Sequence, residues 1–279
     1  MKPHDGNTEP LRVGRIPFLV CAPYFHASLE GFPSVTFTDG PPQALNKMLA
    51  SGAIDCAPSS SFEYARNAAD YMLLPGLCTS GRGEVKSVLL FAQDAWESLD
   101  GKSIELSPDS DTSNALVRAL SRFRFEVHPE YQEPGSGAPA AAKIAIGDAA
   151  LREAASGRWA HTYDLARVWQ EWQGTPLPFG VWILRAEAAR DKPDGVRAYA
   201  RHLHASLAAF FENPACGLDA WERRYPLPLS RAAALDFYST ADYMLTSAHQ
   251  QALATYFDLC TQAGLLAAAP PLRWWGEAA

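Results

Sequence analysis

The chain has no stretch of about 18 consecutive apolar residues, which argues against a membrane-spanning helix. It also lacks an excess of basic charge. Its 24 lysines and arginines stand against 31 acids, for a net charge of −7, so no basic face for nucleic acid is expected. The five cysteines (Cys21, Cys56, Cys78, Cys216, Cys260) are odd in number, scattered and without C-x-x-C spacing. That pattern argues against a disulfide framework or a zinc site and leaves buried apolar thiols as the expectation. The seven histidines show no H-E-x-x-H or other ligand spacing, and His202 and His204, two apart on a helix, point different ways. No metal is expected. Internal repeats and heptads are missing too. The polar opening M-K-P-H-D-G-N-T-E-P has no apolar core of a secretion signal, so a cytoplasmic protein is expected.

What is present is an alternation of short β-like and helix-like runs. Strands are expected at Leu11–Ile16, Ser34–Phe37, Ile54–Pro58, Tyr71–Leu74, Lys86–Gln93, Ser103–Leu106, Phe125–His128, Ala142–Ile146 and Phe179–Arg185. Helices are expected at Pro23–Leu29, Pro42–Ser51, Ser61–Asn67, Ser113–Phe123, Ala149–Ser156 and Leu165–Gln173. The run K-S-V-L-L-F-A-Q reads as a strand buried on both faces, and E-P-G-S-G-A-P-A-A-A (133–142) as a flexible surface stretch. After Arg185 the chain turns almost wholly helical, with helices at Gly195–Phe211, Ser230–Thr240 and Ser247–Gly264. Trp169, Trp172 and Trp182 read as core around the second half of the α/β region.

Three junctions are polar where a strand meets a helix or loop. In A-I-D-C-A-P-S-S-S-F-E-Y-A-R-N (Ala53–Asn67) an apolar run ends in serines. Ser87 begins a buried strand, and Ser103–Leu106 runs into S-P-D-S-D-T-S-N. In an open α/β sheet ligands sit beyond the carboxyl ends of strands, where hydroxyls and free helix N–H groups hold anions. Ser60, Ser61, Ser87, Thr112 and Ser113 are therefore candidates to bind a small carboxylate, although serine and threonine at such places also act as plain N-caps. Asp148 and Asp164 each precede a helix and serve equally as N-caps or as weak catalytic candidates. Gly147 would allow close approach of a ligand to the backbone. Arg15, at the end of the first strand, could balance a carboxylate or be simply exposed, and Phe18 and Phe179 read equally as core packing.

Several segments together resemble the chorismate dehydratases of the futalosine route to menaquinone. They are R-V-G-R-I-P-F-L-V-C-A-P-Y (Arg12–Tyr24), D-C-A-P-S-S-S-F-E-Y-A-R-N (Asp55–Asn67), K-S-V-L-L-F (Lys86–Phe91) with L-D-G-K-S-I-E-L-S-P-D-S-D-T-S (Leu99–Ser113), A-I-G-D-A-A-L-R (Ala145–Arg152), and Y-D-L-A-R-V-W-Q-E-W-Q-G-T-P-L-P-F-G-V-W (Tyr163–Trp182). The likeness covers residues 11–185 strongly and the helical tail weakly. Val20 stands where the family usually has an asparagine. The S-P-C-P-N-D-T opening of the sister enzyme, which makes dihydroxynaphthoate from a cyclic futalosine derivative, is missing.

Element order and the resemblance together imply an α/β, two-lobed type II periplasmic-binding-protein-like fold with two hinge crossings and a helical C-terminal segment. Residues 11–86 plus 186–279 would form one lobe and 94–178 the other, with hinge strands near 86–93 and 179–185 and the site in the cleft between them. The resemblance further implies removal of water from chorismate, a small-molecule dicarboxylate, to give 3-[(1-carboxyvinyl)oxy]benzoate, with Phe18 and Phe179 as candidates to pack on its ring. Aromatisation drives that reaction, so no cofactor is implied, nor a nucleic-acid or membrane partner. No histidine or glutamate stands out as general base. The motifs fit a scheme in which the substrate's own side-chain carboxylate takes the ring proton, with Glu63, Asp148 and Asp164 as the protein groups to test against it. A non-catalytic carboxylate-binding protein of the same fold remains the competing reading, and a sensor domain of a transcription regulator a more distant one.

Overall fold

The computed structural model describes residues 9–27, 35–137 and 139–276. The polar opening up to Thr8, the last two residues of the helix expected over Pro23–Leu29, Ser34, Ala138 and the final three residues lie outside the described residues. Strand β1 (Leu11–Arg15) leads through a 3-10 turn (Leu19–Cys21) into helix α1 (Ala22–Phe25). Strand β2 (Val35–Asp39), helix α2 (Pro42–Ser51), strand β3 (Cys56–Ser60), helix α3 (Ser61–Arg66) and the long strand β4 (Tyr71–Gly81) follow. Next come β5 (Val88–Ala92), β6 (Ser103–Glu105), α4 (Asp111–Phe123), β7 (Glu130–Gln132), β8 (Ala142–Ile146), α5 (Gly147–Ala155), β9 (His161–Asp164) and α6 (Leu165–Gln173). The chain continues through β10 (Gly180–Arg185), α7 (Ala186–Asp191), α8 (Pro193–Glu212), α9 (Pro214–Glu222), α10 (Arg231–Phe237), β11 (Ala241–Asp242) and α11 (Ser247–Gln262).

Two sheets result, a six-stranded one in the order β11-β4-β10-β3-β1-β2 and a five-stranded one in the order β7-β6-β8-β5-β9. The strands expected to cross between lobes are instead interior members of one sheet each. β5 pairs antiparallel with β8 and β9, and β10 antiparallel with β3 and β4. Their apolar runs (V-L-L-F-A and the core of G-V-W-I-L-R) are buried because strands flank them on both sides and side chains cover both faces. The chain passes between sheets in the short segments just before them, residues 82–87 and 174–179.

Other departures have local causes. No strand forms at Phe125–His128, because Glu126 adopts a left-handed φ of 55° and Val127 N–H bonds back to Ser121, closing the end of α4. The strand lies further on, at Glu130–Gln132. β9 has the sequence H-T-Y-D, too polar to read as a strand, and owes its conformation to pairing with β5.

Packing divides the core. One cluster joins the first sheet to α8, α9 and α10 through Leu11, Trp182, Tyr199, Phe210, Trp221 and Phe237. Trp182 thus belongs under the first sheet, against Tyr24 and Tyr199, rather than around the second. The larger cluster runs from the first sheet (Ile54, Leu73, Ile183) through the second (Leu90, Ile144) to Trp169 and Tyr256. Helix α11 packs on both α3 and α4, so the C-terminal helices do not all return to the first sheet.

Asp55, first residue of the D-C-A-P-S-S-S motif, is buried and accepts bonds from the Arg12 backbone N–H (2.9 Å) and Lys192 Nζ (2.8 Å), with the Arg12 guanidinium alongside. Burial pushes its carboxyl up, but the bonds from Arg12 and Lys192 outweigh that and hold it below the usual carboxylate range. A depressed folded-state value contributes stability above the unfolded value and loses it as pH falls through the folded one. We expect Asp55→Ala to cost about 3 kcal/mol in urea denaturation at pH 7, and the gap between it and wild type to close as pH drops below about 4.

Candidate functional site

The cleft between the sheets is built where β1, β3 and the two crossings end. The cavity there has a volume of about 80 Å³. Phe18, Val20 and Phe179 supply ring and aliphatic walls, while Ser60, Ser87 and Ser110 supply hydroxyls. Among the described residues no arginine, lysine or histidine lines it. An anion there would be met by hydroxyl and N–H dipoles, not by a counter-charge.

Ser60 ends β3 and caps α3, its Oγ accepting from Glu63 N–H at 3.0 Å. Its hydroxyl proton remains available to the cleft it lines. Ser87 sits at the end of the first crossing and is buried. Its carbonyl accepts from Gly147 N–H at 2.7 Å, while its hydroxyl has no hydrogen bond among the described residues and lines the cleft. Gly147 has φ +56°, and a Cβ there would come within 2.7 Å of the Phe18 ring, so the backbone of α5 and that ring meet with no room for a side chain. Ser60, Ser87, Gly147 and Phe179 therefore share one cavity with Phe18 and Val20.

The other expected residues do not line it. Ser61 is fully buried and donates to the Pro178 carbonyl at 2.6 Å. Thr112 donates to the Phe179 carbonyl at 3.1 Å and accepts from Phe62 N–H at 3.2 Å, which spends its hydroxyl on joining α4 to the second crossing and α3. Ser113 pairs with Ser110 at 2.8 Å. The hydroxyl facing the cleft from this junction is Ser110, the N-cap of α4. It was missed because S-P-D-S-D-T-S-N offers four hydroxyls, and only the helix start tells them apart. Arg15 is turned away: its Nε donates to Asp39 at 2.8 Å and its guanidinium lies over Phe37, 4.6 Å from the centroid.

Both candidate bases are engaged by backbone N–H groups. Asp164 caps α6 and also accepts from Val85 and Lys86, the latter at 2.7 Å, pinning the first crossing where Lys86 takes a left-handed φ of 58°. Burial raises its carboxyl above the ordinary value despite those bonds. Asp148, in the first turn of α5, accepts from Leu19 N–H at 2.9 Å. This bond runs from the five-stranded side to the turn after β1. Burial raises its carboxyl too, against the Leu19 bond and Arg152. Two further cleft groups escaped notice in the sequence, Thr79 on β4 and Asp109 just before the α4 cap.

Residues 11–262 match a family model described as menaquinone biosynthesis. The chain belongs to the menaquinone-biosynthesis family. Within the family's reach lies a curated relative, the chorismate dehydratase of Thermus thermophilus, 27% identical over 199 residues, or 64% of this chain and 71% of that protein. Solved structures of similar fold include a protein from Archaeoglobus fulgidus, with a TM-score of 0.71 at 21% identity, covering 93% of this chain and all of that one. Another is the alkanesulfonate-binding protein of Xanthomonas axonopodis bound to MOPS, with a TM-score of 0.67 at 17% identity, covering 96% and 97% of the two chains. A Candida albicans protein described as having the generic periplasmic-binding-protein fold scores 0.64 at 12% identity over 97% and 98% of the two chains. This family member is thus a two-lobed protein of the periplasmic-binding-protein fold, with its cleft between the sheets. Among the described residues no helix is long and apolar enough to cross a membrane.

The Phe18–Gly147 contact makes a sharp expectation. Gly147→Ala places a methyl in the ring and forces an unfavourable φ, so we expect a loss of about 1–3 kcal/mol in denaturant unfolding. Phe18→Ala should recover part of that loss in the double variant, as a double-mutant cycle will read.

Proposed function

We propose that the protein is a chorismate dehydratase, removing water from chorismate to give 3-[(1-carboxyvinyl)oxy]benzoate. The observation that carries this reading is a ring-walled cleft with hydroxyl donors from both sheets, Ser60 on one side and Ser87 and Ser110 on the other, in a member of a menaquinone-biosynthesis family. The 27% identity to a chorismate dehydratase supports it. Chorismate is a ring bearing two carboxylates, a hydroxyl and an enol ether. Phe18 and Phe179 would flank the ring, and hydroxyls with the first N–H groups of α4 would hold carboxylates without a cation. Movement of the lobes about the cleft would admit such a molecule and shut it from water.

Loss of the ring hydroxyl and of a ring proton yields an aromatic product, so the enzyme's task is orientation. Glu63, Asp148 and Asp164 are each occupied: Glu63 accepts from Arg66, Asn67 and Tyr71, and the two aspartates from backbone N–H groups. This supports a route in which the substrate's side-chain carboxylate removes the ring proton. Single replacement of Glu63, Asp148 or Asp164 by its amide should then cost well under a thousandfold in turnover wherever folding is retained.

Incubating purified protein with chorismate should produce an aromatic absorbance and a product 18 mass units lighter than chorismate, the mass of one water. Ser87→Ala should lower kcat/KM about tenfold without changing the melting temperature, since its hydroxyl has no partner among the described residues. Thr112→Ala should instead cost about 1–2 kcal/mol of stability. A second reading, a non-catalytic carboxylate-binding protein, is favoured by the likeness of fold to the alkanesulfonate-binding protein. Tight chorismate binding with no product would establish it over the dehydratase.

A further inference from the structure

The leaving hydroxyl poses a problem that the proposed carboxylate-assisted route does not solve. Hydroxide is a poor leaving group, and C–O cleavage in a water-poor cleft is helped by a proton delivered to the oxygen. The donor must line the cleft, carry a proton and be free of other duties. The hydroxyls are too weak as acids. The Cys21 thiol, which also lines the cleft, is buried and pushed well above its ordinary value. Asp148 and Asp164 lie outside the lining and are held by backbone N–H groups.

Asp109 lines the cleft and is free of other duties. It is the one carboxyl in the cleft lining among the described residues. Its carboxylate has no hydrogen-bond or ion-pair partner there, the residue's only hydrogen bond being from its backbone N–H to Ser107 Oγ at 3.2 Å. Its loop is held firmly. Ser107 N–H donates to Asn114 Oδ1 at 2.8 Å, Asn114 Nδ2 returns a bond to the Ser107 carbonyl at 2.9 Å, and Ser110 caps α4. The side chain is thus presented from a fixed backbone, next to a hydroxyl that also faces the cleft.

We infer that Asp109 is the proton donor to the departing ring hydroxyl, an assignment that rests on the dehydratase reading. The acid proton passes to the hydroxyl oxygen as the C–O bond breaks, and water leaves. The adjacent ring C–H gives its proton to the substrate's side-chain carboxylate, and that electron pair completes the aromatic ring. The protein is left with an aspartate and the product with one carboxylic acid. Return of that proton to Asp109, directly or through water, restores the enzyme, so the sum is chorismate to product plus water. Burial already raises this carboxyl above its ordinary value, and a doubly anionic neighbour favours the protonated form further.

The test compares wild type, Asp109→Asn and Asp109→Glu on chorismate and on its ring O-acetyl ester, whose acetate departs without needing a proton. Calorimetric titration and thermal melting are run alongside. We expect Asp109→Asn to bind chorismate within about threefold of wild type but to lose about a hundredfold or more in kcat. It should process the ester at close to the wild-type rate, and Asp109→Glu should keep more activity on chorismate than the amide. An Asp109→Asn kcat within threefold of wild type on chorismate would overturn the assignment, as would an equal loss on both substrates. If wild type itself binds chorismate without turnover, the dehydratase reading fails first, and the assignment with it. Normal wild-type turnover with an unaffected Asp109→Asn variant removes only the assignment.

Discussion

The molecule turns on one carbonyl. Phe179 O, at the end of the second crossing, accepts from Ser61 N–H at 3.1 Å and from Thr112 Oγ1 at 3.1 Å. Thr112 in turn accepts from Phe62 N–H, and its own carbonyl takes the Tyr256 hydroxyl at 3.0 Å. The start of α3, the start of α4, the returning strand and the C-terminal helix thereby meet in a fully buried node. Each group there is polar and shut away from water, so removing any partner strands another. The cleft lies just beyond this node, which sets the spacing between the Ser60 and Ser110 hydroxyls.

This placement shapes how the cleft deals with charge. An acidic chain of net charge −7 would repel a dianion at long range. The arginine nearest to the first strand's end is spent on Asp39 and an aromatic ring. What remains is a set of short-range dipoles whose effect is strong only once water is excluded. The bond from Leu19 N–H to Asp148 and the contact of Phe18 with Gly147 join the two sides.

The buried strands and the polar junctions were legible because both signals are local. V-L-L-F-A and V-W-I-L can satisfy water-avoidance only inside a sheet, and serines after such runs have few roles. The sheet to which each run belongs was not legible, since a strand buried on both faces looks the same in either. Val20, which stands where the resembled family usually has an asparagine, lines the cleft. Arg15 and Thr112 do not, although each sits within a few residues of groups that do.

The sequence by itself determined where chemistry could reside: the ends of particular strands, an α/β framework and a family. Only the tertiary structure decided which hydroxyls and carboxyls are spent on holding the chain and which are left facing the cavity. The reason is physical. A capping serine, an inter-element clasp and a ligand donor have the same local sequence, and differ only in what other parts of the chain bring within about 3 Å of the oxygen.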